Sequence, residues 1–163
     1  MAERPLIDPD VAVSGHLDLP ADPVSVPRAR RFVRQHLEGL PEDVVQDCAL
    51  LTSELVSNVI LHARTPVHLG ISRDTDNVLV VVQDFSDRTT SQRADITPQG
   101  LAECGRGMAI VSSLADDFGW KRLSGEVGKI MWFAIGITER HPLGLPLQVD
   151  QAARERLQLD PRR

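Results

Sequence analysis

The feature that most constrains the fold is one long stretch with an apolar face, Val44–Arg64, VVQDCALLTSELVSNVILHAR. Plotted at about 100° per residue, its apolar side chains fill a broad arc of a helix. An arc of that width is typical of a helix that packs against something large, not of a surface helix with a thin apolar stripe. We therefore predict one long helix around which the rest of the chain is organised. The arc comprises Val45, Cys48, Ala49, Leu51, Thr52, Leu55, Val56, Val59 and Ala63.

Polar residues interrupt this arc at one edge. Glu54 and Asn58 are four residues apart and so project from the same side of the helix, and His62 lies one turn further on, drifting into the apolar arc. A carboxylate and a carboxamide at the border of a core can supply oxygen ligands for a hard cation such as Mg²⁺. Taken singly, each residue has a structural explanation: a solvated glutamate, a tolerated asparagine and a core histidine. The set becomes informative only in combination with motifs on the C-terminal side of the helix.

Composition limits the class of protein. The chain has 163 residues, enough for one domain with a real core, and 42% of them are hydrophobic. No uninterrupted apolar run approaches the ~18 residues of a membrane span, and no secretory signal opens the sequence. Cys48 and Cys104 are too few for a disulfide framework or a zinc site. We expect a soluble cytoplasmic protein, and the net charge of −5 argues against a nucleic-acid partner.

Strand patterns lie on both sides of the long helix. Gly15–Leu19 has a short alternation that predicts an edge strand, and a helix is expected from Ser25 to about Glu38. After the long helix, Val67–Ser72 alternates apolar and polar residues, whereas Val78–Val82 is continuously apolar. These two runs predict a hairpin whose second strand is buried on both faces. That strand ends on Asp84, a carboxylate that either forms a turn or reads a ligand.

A polar stretch without periodicity comes after the hairpin. Phe85–Cys104 is longer than most loops in compact domains and leads into Gly105-Arg106-Gly107 at the start of a predicted helix that continues with Met108. Glycines at a helix N-terminus let a phosphate approach free backbone N–H groups, although a simple tight turn into the helix is the commoner reason for a lone pair of glycines. Phe118–Leu123 and Lys129–Ile137 predict a closing hairpin.

This order of motifs resembles the GHKL, or Bergerat, ATP-binding fold shared by histidine kinases, gyrase and MutL. It is most similar to the bacterial anti-sigma-factor serine kinases of the RsbW and SpoIIAB type. The resemblance covers roughly residues 15–137 and rests on Ser53–Asn58 and His62-Ala63 combined with Gly105–Met108. It implies an α/β two-layer sandwich, with a mixed, mostly antiparallel sheet and helices on one face. Residues 1–14 would then be a leader and residues 138–163 a tail.

The resemblance also implies roles for individual residues. Glu54 would be the general base, Asn58 would bind Mg²⁺, and Asp84 would accept a hydrogen bond from the adenine amino group. Phe85–Cys104 would form the lid over ATP. The remaining ATP-binding residues would be His62, Gly105, Arg106, Gly107 and Met108.

Two departures from the family pattern stand out. Many relatives carry a lysine just before the position of His62, where this chain has Leu61. The usual Asp-x-Gly-x-Gly after the hairpin is here Asp84-Phe85-Ser86-Asp87-Arg88, without either glycine. The aspartate that would recognise adenine, Asp84, is present in this chain. The two departures would instead affect phosphate binding and catalysis.

The function implied is an ATP-dependent protein serine/threonine kinase that sequesters a sigma factor and phosphorylates an anti-sigma-factor antagonist. Such a protein would use ATP and Mg²⁺, bind both protein partners, contact neither nucleic acid nor membrane, and could form a homodimer. The alternative is a non-catalytic module of the same fold, in which nucleotide is structural or absent. A histidine-kinase catalytic domain fits less well, because no pair of phospho-acceptor helices precedes the long helix.

Overall fold

The computed structural model describes residues 14–86, 106–122 and 128–138. The leader and tail expected at 1–14 and 138–163 lie outside these ranges apart from Ser14 and Thr138, so the domain boundaries stay a prediction. The elements in chain order are β1 (Gly15–Leu19), α1 (Ser25–His36), α2 (Glu42–Asn58), a π-helical turn (Val59–Ala63), β2 (Val67–Arg73), β3 (Asn77–Asp84), α3 (Arg106–Leu114), β4 (Asp117–Arg122) and β5 (Lys129–Gly136).

The five strands form one open sheet in the order β1-β2-β3-β5-β4. Every neighbouring pair among them is antiparallel. Helix α2 packs on β3 and β5, α1 packs on α2 and on the β1–β2 edge, and α3 packs on α2. The predicted α/β two-layer fold is therefore confirmed, with α2 at its centre.

The core lies between α2 and one face of the sheet. Val78, Val80 and Val82 alternate along β3 and join the core together with Leu51 and Leu55 of α2. The intervening Val81 points to the opposite face of the sheet and is also buried. The strand is therefore buried on the helix-packed face and at Val81 on the opposite face, whereas Leu79 on that opposite face is partly exposed.

The long helix ends differently from the prediction of a single helix to Arg64. The α-helix stops at Asn58, and Val59–Ala63 forms a π-helical turn. The N–H of Arg64 closes this turn by donating to the carbonyl of Val59, five residues earlier, at 2.8 Å. Arg64 itself is left-handed, with φ 56° and ψ 38°, and this conformation ends the helix before Pro66. The apolar periodicity continues through the turn, so it could not reveal the change of helix type.

The segment Glu42–Ala63 is long and apolar enough to cross a membrane by length and composition alone, with a mean hydropathy of 1.4 over its best window. Within the domain 61% of that window is buried against the sheet and the other helices. Its hydropathy is therefore explained by its place as the core helix.

Candidate functional site

The first part of the site is an edge of α2 that reaches the surface. Glu54 and Asn58 are partly exposed, whereas Leu55 and Val56 between them are fully buried in the core. Their spacing of four residues places both side chains on the same side of the helix, one turn apart. The predicted pairing of the carboxylate and the carboxamide on one edge is therefore present in the structure.

His62 occupies a different environment from the one that the helical pattern predicts. The expectation that it drifts into the apolar arc as a core residue is wrong, because its side chain is exposed. The π-helical turn advances each residue by a smaller angle than an α-helix does, so the residues after Asn58 are rotated relative to the α-helical expectation. Such turns are frequent at functional sites, and here the turn begins directly after Asn58.

The second part of the site is the carboxylate of Asp84 at the end of β3, which is fully buried. Its Oδ1 accepts hydrogen bonds from the backbone N–H groups of Ser86, at 3.1 Å, and Lys129, at 3.3 Å. Its Oδ2 is buried and has no hydrogen-bond partner. The ammonium of Lys129 lies 3.7 Å from Oδ2, close enough for an ion pair.

The absence of a hydrogen bond at Oδ2 indicates which ligand groups the site can accept. A buried acceptor without a partner costs about 1–3 kcal/mol, so a structure rarely retains one without a reason. The exocyclic amino group of adenine is a donor, and a donor is the group that Oδ2 lacks. The residues present therefore fit an adenine nucleotide at Asp84.

A hydrogen bond joins the two parts of the site through the backbone. Thr65 comes after the π-helical turn, and its Oγ1 accepts the backbone N–H of Phe85 at 3.1 Å. The chain leaving α2 and the chain leaving β3 are thereby held together. No hydrogen bond links Asp84 to Glu54 or Asn58 in the described ranges, so the α2 edge and the carboxylate act as separate contact points.

Gly128 is a site residue that sequence reasoning did not identify. It has a φ of +119°, and a Cβ atom there would lie 2.0 Å from the backbone oxygen of Asp84. Only glycine permits this approach, which brings the N–H and the ammonium of Lys129 to the carboxylate. From the sequence, Gly128-Lys129 is a turn residue and then a strand residue. The contact becomes visible only through the pairing of Asp84 with Lys129 in the β3–β5 register.

The glycine-rich motif is only partly described. A helix does begin at Arg106, as predicted, and it packs on α2. Gly105 and the side chains of Arg106 and Met108 lie outside the described part of the structure, as does the expected lid beyond Ser86. The phosphate-binding roles assigned to this motif, including that of Gly107, stay predictions.

A magnesium site would depend on few protein ligands. The described residues contain no group of three or more His, Cys, Asp or Glu side chains that could hold a metal ion. Mg²⁺ in nucleotide sites is commonly held by one or two protein oxygens together with substrate phosphates and water. The partly exposed carboxamide of Asn58 is compatible with that mode of binding.

Comparison with known families shows to which family this fold belongs. The family model described as histidine kinase-like ATPase domain matches residues 19–135, from the end of β1 to β5. The chain belongs to the histidine kinase-like ATPase family. Membership implies nucleotide binding, typically with Mg²⁺, and an ATP-utilising activity. The matched range contains Glu54, Asn58 and Asp84. A search of curated proteins finds no match to this chain.

Proposed function

We propose that this histidine kinase-like ATPase is a protein serine/threonine kinase that acts as an anti-sigma factor in the bacterial cytoplasm. It would bind a sigma factor and phosphorylate an anti-sigma-factor antagonist, as the resemblance to the RsbW and SpoIIAB kinases suggests. A homodimer is the proposed assembly.

The observation that carries the nucleotide part of this proposal is Asp84. Its Oδ1 is fixed by two backbone N–H groups, so Oδ2 is presented in a constant orientation with the Lys129 ammonium 3.7 Å away and no hydrogen-bond partner. A fixed, buried acceptor distinguishes an amino group from a carbonyl group, and so supports ATP rather than GTP as the substrate.

Glu54 is the residue proposed for proton transfer. As the hydroxyl oxygen of a target serine bonds to the γ-phosphorus of ATP, its proton passes to the Glu54 carboxylate. The bond between that phosphorus and the β–γ bridging oxygen breaks, and ADP leaves. In phosphoryl transfer the protein mainly positions the reactants and offsets charge. Mg²⁺, held by Asn58 and the substrate phosphates, would supply that charge compensation.

Two residues favour the non-catalytic alternative. Ser86 stands where the family pattern has its first glycine, and its N–H is committed to Asp84. Leu61, at the position of the phosphate-contacting lysine of many relatives, is 65% exposed and offers no charge. A protein with these changes could bind adenine through Asp84 while sequestering its partner without phosphoryl transfer.

The test is a phosphorylation assay with Mg²⁺, labelled ATP and candidate antagonist proteins. The wild-type protein should label its antagonist, and Glu54→Gln should bind ATP normally while losing the ~10²–10⁴-fold in rate that a general base contributes. Asn58→Ala should lose ATP binding and transfer together, since it removes a proposed Mg²⁺ ligand.

Glu38→Gln is the matched control, because it removes the same charge from an exposed glutamate in the loop before α2. It should phosphorylate at the wild-type rate, and helical content should be equal in all variants. If Glu54→Gln is as fast as Glu38→Gln, Glu54 is not the base. ATP binding with no transfer to any antagonist, combined with capture of a sigma factor, would establish the non-catalytic alternative instead.

A further inference from the structure

The side chain of Lys129 has no part in the function proposed above, although it lies next to Asp84. Its Nζ is 3.7 Å from Oδ2 of Asp84, which is longer than a hydrogen bond. The ion pair therefore uses none of the hydrogen-bonding capacity of either group. Oδ2 keeps its acceptor positions, and the ammonium, which has three donors, makes no hydrogen bond to the residues that the structure describes.

The strand register places this ammonium on the helix side of the sheet. Asp84 and Lys129 are directly opposite each other on β3 and β5, and opposite residues project from the same face. Along β5, Lys129 alternates with Met131 and Phe133, which both belong to the core cluster that α2 shares with the sheet. The ammonium therefore lies on the same side of the sheet as the exposed edge of α2.

The two members of the ion pair differ in their exposure. The side chain of Lys129 is 37% exposed, whereas that of Asp84 is 1% exposed. A ligand that reaches Oδ2 also comes within reach of the ammonium, because the lysine stem is flexible. The next cation in this row, Arg122 of β4, lies one strand further from Asp84. Lys129 is therefore the cation of this row that a ligand bound at Asp84 meets first.

An acceptor and a donor side by side match one edge of adenine. The exocyclic amino group of adenine donates, and on each side of it lies a ring nitrogen that accepts, N1 on one side and N7 on the other. A single amide side chain recognises such a pair with its oxygen and its nitrogen. At Asp84 the same two functions are divided between two side chains, with Oδ2 as the acceptor and Nζ of Lys129 as the donor.

Two simpler roles for Lys129 are charge compensation of Asp84 and attraction of the nucleotide phosphates. Compensation alone is strongest in a charge-assisted hydrogen bond of about 2.7–2.9 Å, which this pair does not form. Attraction of phosphates places an ammonium at the phosphate end of the nucleotide. Lys129 lies instead beside the carboxylate that receives the base.

We propose that Lys129 is a specificity-determining residue that recognises the base together with Asp84. Its ammonium donates a hydrogen bond to a ring nitrogen beside the adenine amino group, N1 or N7, while Oδ2 of Asp84 accepts from the amino group. This role rests on the adenine site proposed at Asp84 and adds a second contact with the base. A nucleotide that keeps the amino group but lacks that ring nitrogen should therefore bind more weakly.

The experiment removes the two ring nitrogens from the ligand one at a time. Mg-ATP, Mg-1-deaza-ATP and Mg-7-deaza-ATP are titrated by calorimetry into the wild-type protein and into Lys129→Met. In the wild-type protein, one of the two deaza nucleotides should bind about tenfold or more weakly than ATP, because it loses a hydrogen bond from a charged donor. In Lys129→Met that nucleotide and ATP should bind equally, since the donor is absent.

Lys121→Met is the matched control. It makes the same substitution at the other lysine of the chain, which is paired with Ile130 in the register of β4 and β5. The ratio of the ATP and deaza-ATP affinities should be that of the wild-type protein. Because each ratio is measured within one protein, an effect of a substitution on folding or on the phosphates cancels.

Each other outcome overturns the proposal for a different reason. If Lys129→Met weakens all three nucleotides by the same factor, Lys129 acts on the phosphates or on the fold. A deaza effect that persists in Lys129→Met would assign the contact to another donor. Equal binding of all three nucleotides by the wild-type protein would refute the contact and leave the adenine site at Asp84 standing. Binding of none of them would refute that site and the role of Lys129 together.

A second measurement needs no variant and so remains decisive if Lys129→Met fails to fold. Lys121 and Lys129 are the only lysines in the sequence, so mass spectrometry resolves the acetylation of each amine. Saturating Mg-ATP should slow the acetylation of Lys129 about threefold or more relative to that of Lys121, because a bonded amine is withdrawn from the reagent. The deaza nucleotide that binds more weakly should protect Lys129 less at equal occupancy. Equal protection by all three nucleotides would contradict the proposal.

Discussion

At the scale of single residues, the site depends on how closely the backbone can approach Asp84. Gly128 permits that approach. The backbone N–H of Lys129 donates to Oδ1 of Asp84, and the Lys129 ammonium lies 3.7 Å from Oδ2. The partly exposed ammonium of Lys129 does not remove the need for a hydrogen bond at Oδ2, because that atom stays unpaired. The proposed recognition of adenine would therefore depend on a backbone contact as much as on the carboxylate.

Gly128→Ala should weaken ATP binding about tenfold or more, since the new methyl group would displace the Asp84 backbone. Backbone strain in the left-handed region adds about 1–3 kcal/mol. Gly39→Ala is the control, because Gly39 also has a positive φ, of +88°, but a Cβ there meets nothing within 4 Å. It should lower the free energy of unfolding and leave ATP affinity unchanged. Calorimetric titration of ATP into both variants measures the two affinities. Equal ATP affinities would show that Gly128 does not contribute to ATP binding.

At the scale of elements, the ends of α2 and β3 are joined by Thr65. Its Oγ1 accepts the N–H of Phe85, and the ring of Phe85 packs edge-on against His68 at 4.7 Å between centroids. These two contacts fix the chain that leaves β3 directly after Asp84. The junction is therefore expected to contribute to stability and to ligand binding together.

Thr65→Val keeps the side-chain shape and leaves the Phe85 N–H without its acceptor. The free energy of unfolding should fall by about 1 kcal/mol, the net worth of such a hydrogen bond, and ATP affinity should fall with it. Thr75→Val removes a hydroxyl that contacts only the exposed Asp76 side chain, so it should change neither quantity. Urea unfolding and titration measure the two effects. A Thr65→Val protein as stable as Thr75→Val would show that the junction is not formed in solution.

The elements themselves are well encoded in the sequence, because each has a local pattern. The predicted edge strand matches β1 residue for residue, and the valine run identifies β3. The π-helical turn, the exposure of His62 and the Gly128 contact have no such pattern. They depend on how the helix meets Pro66 and on the register between β3 and β5, which are properties of the assembled sheet.

At the scale of the whole molecule, α2 serves as the core of the domain and its exposed edge carries the proposed chemistry. The family match over residues 19–135 implies nucleotide binding, and the buried Asp84 oxygen that lacks a hydrogen bond is compatible with an adenine amino group. The central claim is therefore that this domain binds an adenine nucleotide through Asp84.

Titration calorimetry of Mg-ATP and Mg-GTP against the wild-type protein and Asp84→Asn tests that claim most directly. Wild-type protein should prefer ATP, because the carboxylate attracts the adenine amino group and repels the carbonyl oxygen of guanine. In Asp84→Asn the amide oxygen should take the place of Oδ1 and accept the two backbone N–H groups, which turns the amide NH₂ toward the ligand. ATP affinity should then fall and the preference should shift toward GTP. Equal affinity for both nucleotides in the wild-type protein, or an unchanged preference in Asp84→Asn, would contradict the account.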